Sequence, residues 1–318
     1  MKQLLFIFSF FAFSIMVGTT QTDSVKKLHT PYGYNSTYMN PMPPDCRDVS
    51  KTSVIDSGFI RVLYALNATD LEKLETYDDL QRLEIGAQYS KYYSLFVFNT
   101  DSTTTYELMK LDPKALESLS SNLRVTMIID GKFQGWSEYL FSEYFKDFLT
   151  GELTEYARMP YGLDKYNAQY SESIPVQNWV VSDETLTVAG YSCQKATCRF
   201  RGRDYTAWFT TDIPINNGPW KFGGLPGLIL KAYDGDNLFT FECVGIENHK
   251  QKFPVEMNKV FEKYNKTDRL KLRKTKKEVQ ENFHQLLLST TGRDIVVFSS
   301  EDPTYREEQA PYNPLELE

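Results

Sequence analysis

The sequence predicts an α+β protein that is mainly β, with one large antiparallel sheet and helices packed on one face of it. Three observations support this fold class. Short β-like runs alternate with turn residues along much of the chain. Two longer segments carry the spacing of amphipathic helices. The aromatic content of 14%, with 21 Tyr and 21 Phe, suits the core and rims of a large sheet.

The first twenty residues have the order of a secretory signal peptide. Lys2 precedes an apolar run from Leu4 to Val17, and small or hydroxyl residues follow it. This run is shorter than the roughly 20 apolar residues of a membrane span, and an uncleaved anchor is the alternative. We therefore expect residues 1–20 to be a signal peptide and the protein to be exported, periplasmic or outer-membrane associated.

The remaining chain divides by composition into three parts. Residues 21–53 are expected to form an extended arm, because several prolines interrupt any helix there. Residues 54–300 are predicted to form a single β-rich domain. Residues 301–318 form an acidic, Pro-containing tail that is expected on the surface. The net charge of −7 argues against nucleic acid as a partner.

The predicted strands are short runs bounded by Gly, Asn and Asp. Connections of this length favour antiparallel pairing, because parallel neighbours need a long crossover. The runs are Gly58–Leu66, Leu83–Gly86, Tyr92–Phe98, Thr185–Gly190, Tyr191–Arg203, Tyr205–Thr211, Leu228–Tyr233, Leu238–Gly245 and Ile295–Phe298.

Two segments, residues 134–150 and 266–289, are predicted to be helices that pack on the sheet. In the second, one face carries Val279, Phe283, Leu286 and Leu287. The basic run Arg269 to Lys277 is expected to be solvated, with a contact to a membrane surface or lipopolysaccharide as the alternative. In the first, apolar side chains recur every four positions. They are Trp136, Leu140, Tyr144 and Phe148.

The most specific motif is a glycine-rich stretch that runs from Gly218 into a predicted strand. Its centre consists of Gly224, Leu225, Pro226, Gly227, Leu228 and Ile229. Glycines here permit positive φ or a close approach of another element, and Pro226 fixes its own φ. A phosphate-binding loop would instead continue with Lys and Ser or Thr into a helix. A tight turn that seats Trp220 and Phe222 against the core is the structural interpretation, and a loop that gates a pocket or docks a partner is the alternative.

The motif resembles that of the GLPGLI family, which is named after these six letters and is typical of Bacteroidetes. Further stretches resemble the family too, among them Gly190–Ala196, Phe200–Arg203 and Asn313–Leu317. The resemblance spans most of the mature chain. It implies export in a Gram-negative envelope and implies no particular reaction.

A basic row is predicted along one strand, because Lys195, Arg199, Arg201 and Arg203 alternate with apolar residues. Such a row is either a solvated face paired with nearby acids or an anion site, since Arg binds carboxylate or phosphate through two hydrogen bonds. We expect the motif loop to return to the same sheet edge. The candidate binding group is Arg199, Arg201, Arg203, Trp208, Trp220 and Lys221.

The four cysteines are Cys46, Cys193, Cys198 and Cys243. In an exported protein they are candidates for disulfides in any of three connectivities, with free buried thiols as the alternative. Cys193 and Cys198 should point to opposite faces of a strand, which argues against a bond between them. With no CxxC motif and three His, no metal site or cofactor is expected.

No recognised catalytic motif occurs in the sequence, so a non-catalytic role is favoured. The expected function is that of a binding or accessory protein in the periplasm. One alternative is a carrier of an apolar or amphipathic ligand, with a sheet similar to the half-barrels of periplasmic lipoprotein carriers. Another is a scaffold subunit of an outer-membrane complex. The partner would accordingly be a lipid or an outer-membrane protein complex.

Overall fold

The computed structural model describes residues 38–39, 41, 43–106, 128–129, 132–133, 135–292, 308–309 and 312–318. The predicted signal peptide, most of the predicted arm and the predicted strand Ile295–Phe298 lie outside these residues. Four two-residue strands form two small pairs, numbered in chain order with the rest. They are β1 (Tyr38–Met39) with β16 (Glu308–Gln309), and β5 (Ile128–Ile129) with β6 (Lys132–Phe133).

Twelve strands form one large sheet. They are β2 (Thr52–Leu66), β3 (Asp79–Gly86), β4 (Tyr89–Ser94), β7 (Ser142–Asp147), β8 (Glu152–Ala157), β9 (Ala168–Ser173), β10 (Val180–Val188), β11 (Tyr191–Phe200), β12 (Arg203–Thr210), β13 (Leu228–Asp234), β14 (Thr240–Asn258) and β15 (Asn265–Lys266). Their spatial order is β10-β11-β12-β13-β14-β2-β3-β4-β7-β8-β9-β15, and only β9 and β15 are parallel neighbours. Within the described chain β10 and β15 each pair on one side only, so the sheet is open.

The prediction of a mainly β protein with a large antiparallel sheet is therefore confirmed. The residues of the turns explain why the strands from β10 onward could be predicted from the sequence. Arg201 and Gly202 make a two-residue turn between β11 and β12, with φ of +50° and +83°. Ala189 and Gly190 make the same turn between β10 and β11, with φ of +48° and +83°. Two positive φ values match the twist of the flanking strands.

The structure has two α-helices in its described part, α1 (Leu95–Tyr106) and α2 (Arg269–Thr291). The predicted helix over residues 266–289 is thus confirmed as α2. It begins where the Asp268 side chain accepts a hydrogen bond from the backbone N–H of Lys271, and it ends at Gly292 with φ of +67°. Inside it, Leu272, Val279 and Phe283 are buried.

The predicted helix over residues 134–150 is wrong. Its second half is strand β7, which pairs antiparallel with β4 and β8. The two faces of β7 are both buried, with Tyr144 in one apolar cluster and Phe145 in another. A strand covered on both faces loses its polar alternation, so its aromatic spacing imitates that of a helix.

The predicted strand Tyr92–Phe98 is correct only as far as Ser94. The Ser94 hydroxyl accepts a hydrogen bond from the backbone N–H of Val97 at 3.1 Å. This is the action of a helix N-cap, and it explains why the chain changes from strand to helix at this point. The apolar residues Leu95 to Phe98 therefore form the first turn of α1 rather than the end of β4.

We call the sheet face that carries Tyr64, Tyr144 and Tyr205 the inner face. Its apolar side chains form one large cluster, to which both helices and the loop after β12 contribute. A smaller cluster on the opposite, outer face joins Phe145 with Phe261. The sheet is thus covered most heavily on its inner face, where the motif loop and α2 also lie.

Replacing Tyr144 with Ala should lower the free energy of unfolding by roughly 3–5 kcal/mol, as large aromatic truncations in cores do. Tyr144 is buried, whereas Phe148 lies beyond the end of β7 and is 39% exposed. The matched control Phe148→Ala should cost less than about 1 kcal/mol. Denaturant titration checks both values. Similar losses at both positions would contradict the strand and favour a helix that buries both rings.

Candidate functional site

The motif loop, residues 211–227, connects β12 to β13 and packs onto the inner face. Trp220, Phe222 and Leu225 are its buried anchors. The Phe222 ring packs edge-on against Tyr205, with 4.8 Å between ring centroids. The structure therefore agrees with the interpretation of the motif as a turn that seats aromatic rings in the core.

Two glycines of the motif are required by geometry. Gly224 has φ of +82°, a conformation that side chains with a Cβ rarely adopt. At Gly227 an added Cβ would lie 2.0 Å from the backbone oxygen of Thr210. Between them Leu225 is buried and Pro226 is exposed, and Leu228 and Ile229 begin β13 in the core.

Side chains from other elements donate hydrogen bonds to the backbone carbonyls of this loop. The Lys146 ammonium donates to the Phe222 carbonyl at 2.6 Å and to Asn217 Oδ1 at 2.7 Å. The Trp179 indole N–H donates to the Gly223 carbonyl at 2.7 Å. Burial lowers the pKa of Lys146 to about 7. All of these contacts hold the loop in one shape, and they assign Lys146 a structural role.

Beside this loop lies a second group of buried charges, which we call the charged pocket. Its centre is Glu155 on β8, which pairs with Lys276 of α2 and, at 3.4 Å, with Lys221 of the motif loop. Lys276 also lies 3.6 Å from Glu138, and Lys221 lies 3.8 Å from Glu172. The Lys221 ammonium also donates to the Tyr170 hydroxyl.

Residues 312–318, which we call the docked segment, fill the charged pocket. Leu315 is 2% exposed, and the carboxylate of Glu316 pairs with Lys221 and, at 2.7 Å, with Arg269. The predicted surface position of the tail is therefore wrong for this part of it. The reason is that Leu315 and Glu316 find an apolar and a cationic partner site on the inner face.

The backbone of the docked segment is also recognised. The Leu315 N–H donates to Glu138 Oε1 at 2.9 Å, and the Tyr205 hydroxyl donates to the Leu315 carbonyl at 3.1 Å. Arg203 donates to the Pro314 carbonyl at 2.7 Å. The Leu317 N–H donates to the backbone carbonyl of Arg201 at 2.8 Å. Contacts to both side chains and backbone fix the register of the segment.

Pairing decides the ionisation of the buried groups. Burial alone would raise the pKa of Glu155, but Lys276 and Lys221 outweigh it and lower this pKa to about 2. Burial would likewise raise the pKa of Glu316, and Lys221 lowers it below its ordinary value. Burial opposes charge on Lys276, yet Glu155 and Glu138 raise its pKa. Glu155, Glu316 and Lys276 are therefore charged at neutral pH.

The structure brings five of the six predicted binding residues to the docked segment or its surroundings. Arg203, Lys221 and the backbone of Arg201 bind it directly. Trp220 lines the pocket, and the exposed Arg199 reaches Glu318 at 4.0 Å. Arg201 itself pairs with Glu172 at 2.6 Å.

The predicted single row of cations is wrong. The turn at Arg201–Gly202 reverses the alternation, so that Arg203 faces inward and Arg199 faces outward. Trp208 pairs with Lys195 across the ladder, and its ring belongs to the large apolar cluster. Its place in a binding group stays a prediction.

Sequence reasoning missed the carboxylates of the pocket and the contribution of α2. Lys276 is 5% exposed, so the expected solvated face of the basic run does not hold at this residue. Helical spacing carries the signal, since Lys276 follows Leu272 by four positions and precedes Val279 by three. A lysine on the apolar face of a helix needs a buried partner, which here is Glu155.

All four cysteines are free thiols in this structure. The free-thiol alternative is thus favoured over the predicted disulfides among Cys46, Cys193, Cys198 and Cys243. Burial raises the pKa of Cys198 and Cys243 to about 12. These two thiols are therefore poor nucleophiles at neutral pH.

An open cleft of about 380 Å³ lies between residues 44–48, 158–164 and 258–264. Its lining is mixed in charge, with the exposed Lys259 and Lys263 on one side. Burial and the neighbouring Asp164 raise the pKa of Asp45 in the cleft.

No group of three or more His, Cys, Asp or Glu side chains among the described residues is placed to hold a metal ion. None of the described helices is long and apolar enough to span a membrane.

Replacing Gly227 with Ala should cost more than about 2 kcal/mol, because the new Cβ would collide with a backbone oxygen that cannot rotate away. The control is Gly235→Ala, whose Cβ would find its nearest neighbour at 3.8 Å. The control should change stability by less than about 1 kcal/mol. Thermal and denaturant unfolding of both variants check this, and a tolerated Gly227→Ala would contradict the close approach.

Stability should rise with pH above 7 because of Lys146. Its pKa is about 7 in the folded protein, against an ordinary value near 10.4 in the unfolded chain. Between these values only the unfolded chain holds the proton, so raising the pH from 7 to 9 adds about 2 kcal/mol to the free energy of unfolding. The Lys146→Met variant should not show this rise in the free energy of unfolding between pH 7 and 9, whereas the control variant Lys250→Met, changed at an exposed lysine, should show it. Equal pH slopes in urea titrations of both variants would contradict it.

Comparison with known proteins gives a short family match and a distant structural likeness. Residues 201–231, which include the motif, match the model of a family described as a protein of unknown function (Porph_ging). No curated protein matches the chain. Two solved structures of PNGF-II, in space groups C2 and P21, have TM-scores of 0.45 and 0.46 to this chain at 13% identity. Each match covers 70% of this chain but 33% and 34% of the other, so the chain spans about a third of their length.

Proposed function

We propose that this chain is an exported, non-catalytic accessory protein of the cell envelope that binds a polar protein partner. The observation that carries this proposal is the contrast between its two kinds of cavity. The space left in the charged pocket of the inner face is about 20 Å³, while the open cleft on the surface measures about 380 Å³. The first volume holds about one water molecule, whereas the second is of the size that binding sites have.

This contrast favours an accessory role over a lipid carrier. A carrier needs an apolar cavity along its sheet, but the inner face here is occupied by Trp220, Phe222 and the side chains of α2. The lining of the open cleft carries charges of both signs, which suits a polar partner better than an acyl chain. We place the partner at the cleft and include Lys259 and Lys263 in the binding surface.

Export and family membership belong to the same proposal. The leader at residues 1–20 supports transfer to the periplasm, with the outer membrane as a further location. We further infer that the chain is a GLPGLI family protein of Bacteroidetes. The family-model match over residues 201–231 supports this inference, because it contains Gly224 to Ile229.

Native mass spectrometry of the protein purified from the envelope fraction tests the proposal. We expect a chain without residues 1–20, bound to protein and free of lipid. The double variant Lys259→Glu/Lys263→Glu should lose at least about 90% of the bound protein, equivalent to at least about 1.4 kcal/mol of binding free energy. The control Lys250→Glu/Lys252→Glu reverses two exposed lysines away from the cleft and should retain it. Lipid in place of protein, or equal loss in both variants, would refute the proposal.

A further inference from the structure

The docked segment is held in the manner of a bound peptide. It does not join the ladder of the large sheet. Side chains of β12, α2 and the loop before β7 bind it, and the backbone carbonyl of Arg201 in the β11–β12 turn accepts one of its hydrogen bonds. Leu315 enters an apolar site and Glu316 enters a cationic site, one residue apart. Side-chain pockets combined with backbone hydrogen bonds are how extended peptides are recognised.

The charged pocket is built without help from the docked segment. Lys221 and Lys276 both pair with Glu155, and Arg203 pairs with Asp234 at 3.1 Å. Each of these pairs joins residues of the sheet, the motif loop or α2. Because its charges remain paired when the segment leaves, the empty pocket should keep its shape.

The charges of the pocket favour an acidic occupant. Six cationic side chains lie in or beside it, against four carboxylates that do not belong to the docked segment. The cations are Arg201, Arg203, Lys221, Arg269, Arg273 and Lys276, and the carboxylates are Glu138, Glu155, Glu172 and Asp234.

The docked segment leaves part of this cationic capacity unused. Two buried atoms, Arg201 Nε and Arg273 Nη1, have no hydrogen-bond partner within the described chain. A buried donor without a partner is costly, so an occupant that reaches these guanidinium groups with further carboxylates would gain from them.

We propose that the charged pocket is a receptor for an acidic, extended peptide segment of a partner protein, with a leucine followed by a glutamate at its centre. Residues 312–318 occupy the receptor within the same chain until the partner segment displaces them. An attached segment competes at an effective concentration on the order of millimolar, so a partner peptide must bind more tightly or arrive on a tethered protein. This receptor is distinct from the open cleft and does not depend on what the cleft binds.

Hydrogen exchange on the unmodified protein tests whether the docked segment leaves the pocket by itself. The amides of Leu315 and Leu317 donate within the pocket and report its opening. We expect them to exchange at least about 100-fold faster than the central amides of β12 and β13, and faster still in 1 M salt, which screens the ion pairs. Exchange at the rate of the central strands would mean that the segment is a permanent part of the core, and would overturn the proposal.

Peptide binding then tests the receptor. The probe is a labelled nine-residue peptide with the sequence of residues 310–318, titrated by fluorescence anisotropy into the full chain carrying Leu315→Ala/Glu316→Gln. We expect this variant to bind the probe at least about 10-fold more tightly than the unchanged protein does, because its own segment no longer competes. The matched control is Leu149→Ala/Glu152→Gln, which makes the same changes at two exposed positions outside the docked segment and should behave as the unchanged protein.

We call the Leu315→Ala/Glu316→Gln protein the opened variant. A second probe, with Gln in place of Glu316, should bind to it at least about 10-fold more weakly than the first probe does. Equal weak binding of the probe to all three proteins, with folded circular dichroism spectra, would overturn the proposal. So would stable dimers of the opened variant with the unchanged protein, since these would assign the pocket to a second copy of the chain. In either case the lipid and partner content measured on the cleft variants remains an independent test of the accessory role.

Discussion

Glu155 is a carboxylate buried in the large sheet, and the inner face is arranged around it. A buried charge without a counter-charge costs several kcal/mol, so its position requires cations to come to it. Lys221 of the motif loop and Lys276 of α2 both pair with Glu155, although the loop and the helix are far apart in the sequence. Once both lysines are in place, Lys221 also binds Glu316 of the docked segment. One ionic requirement thus fixes the relative positions of loop, helix, segment and sheet.

The parts of the fold that the sequence predicts well are those with local signals. The hairpins from β10 to β12 have two-residue turns, and α2 has an N-cap, an apolar stripe and a terminal glycine. The region around β7 could not be predicted in the same way, because Tyr144 and Phe145 are buried on opposite faces. Its identity as a strand depends on β4 and β8, which contribute the hydrogen bonds and lie elsewhere in the chain.

The candidate site was predicted in part for the same physical reason. Arg203 and Lys221 stand out as cations among apolar neighbours, and the structure brings both to the docked segment. Nothing in the sequence distinguishes Glu138 and Glu155 in this way, since an acidic residue in a strand or loop usually faces water. Only the packing of α2 over β8 reveals that Glu155 is buried, and no spacing in the sequence records that contact.

The centre of the large sheet is made by β2 and β14, which are separated by well over 150 residues of chain. On one side of this pair lie β3, β4, β7, β8, β9 and β15, and on the other side lie β10 to β13. Closing so long a loop is slow compared with forming the hairpins on either side. We therefore expect the two halves of the sheet to join late in folding, after the residues of β14 have been synthesised. A chain that completes the centre of its sheet late stays unfolded for longer, which is compatible with the export proposed above.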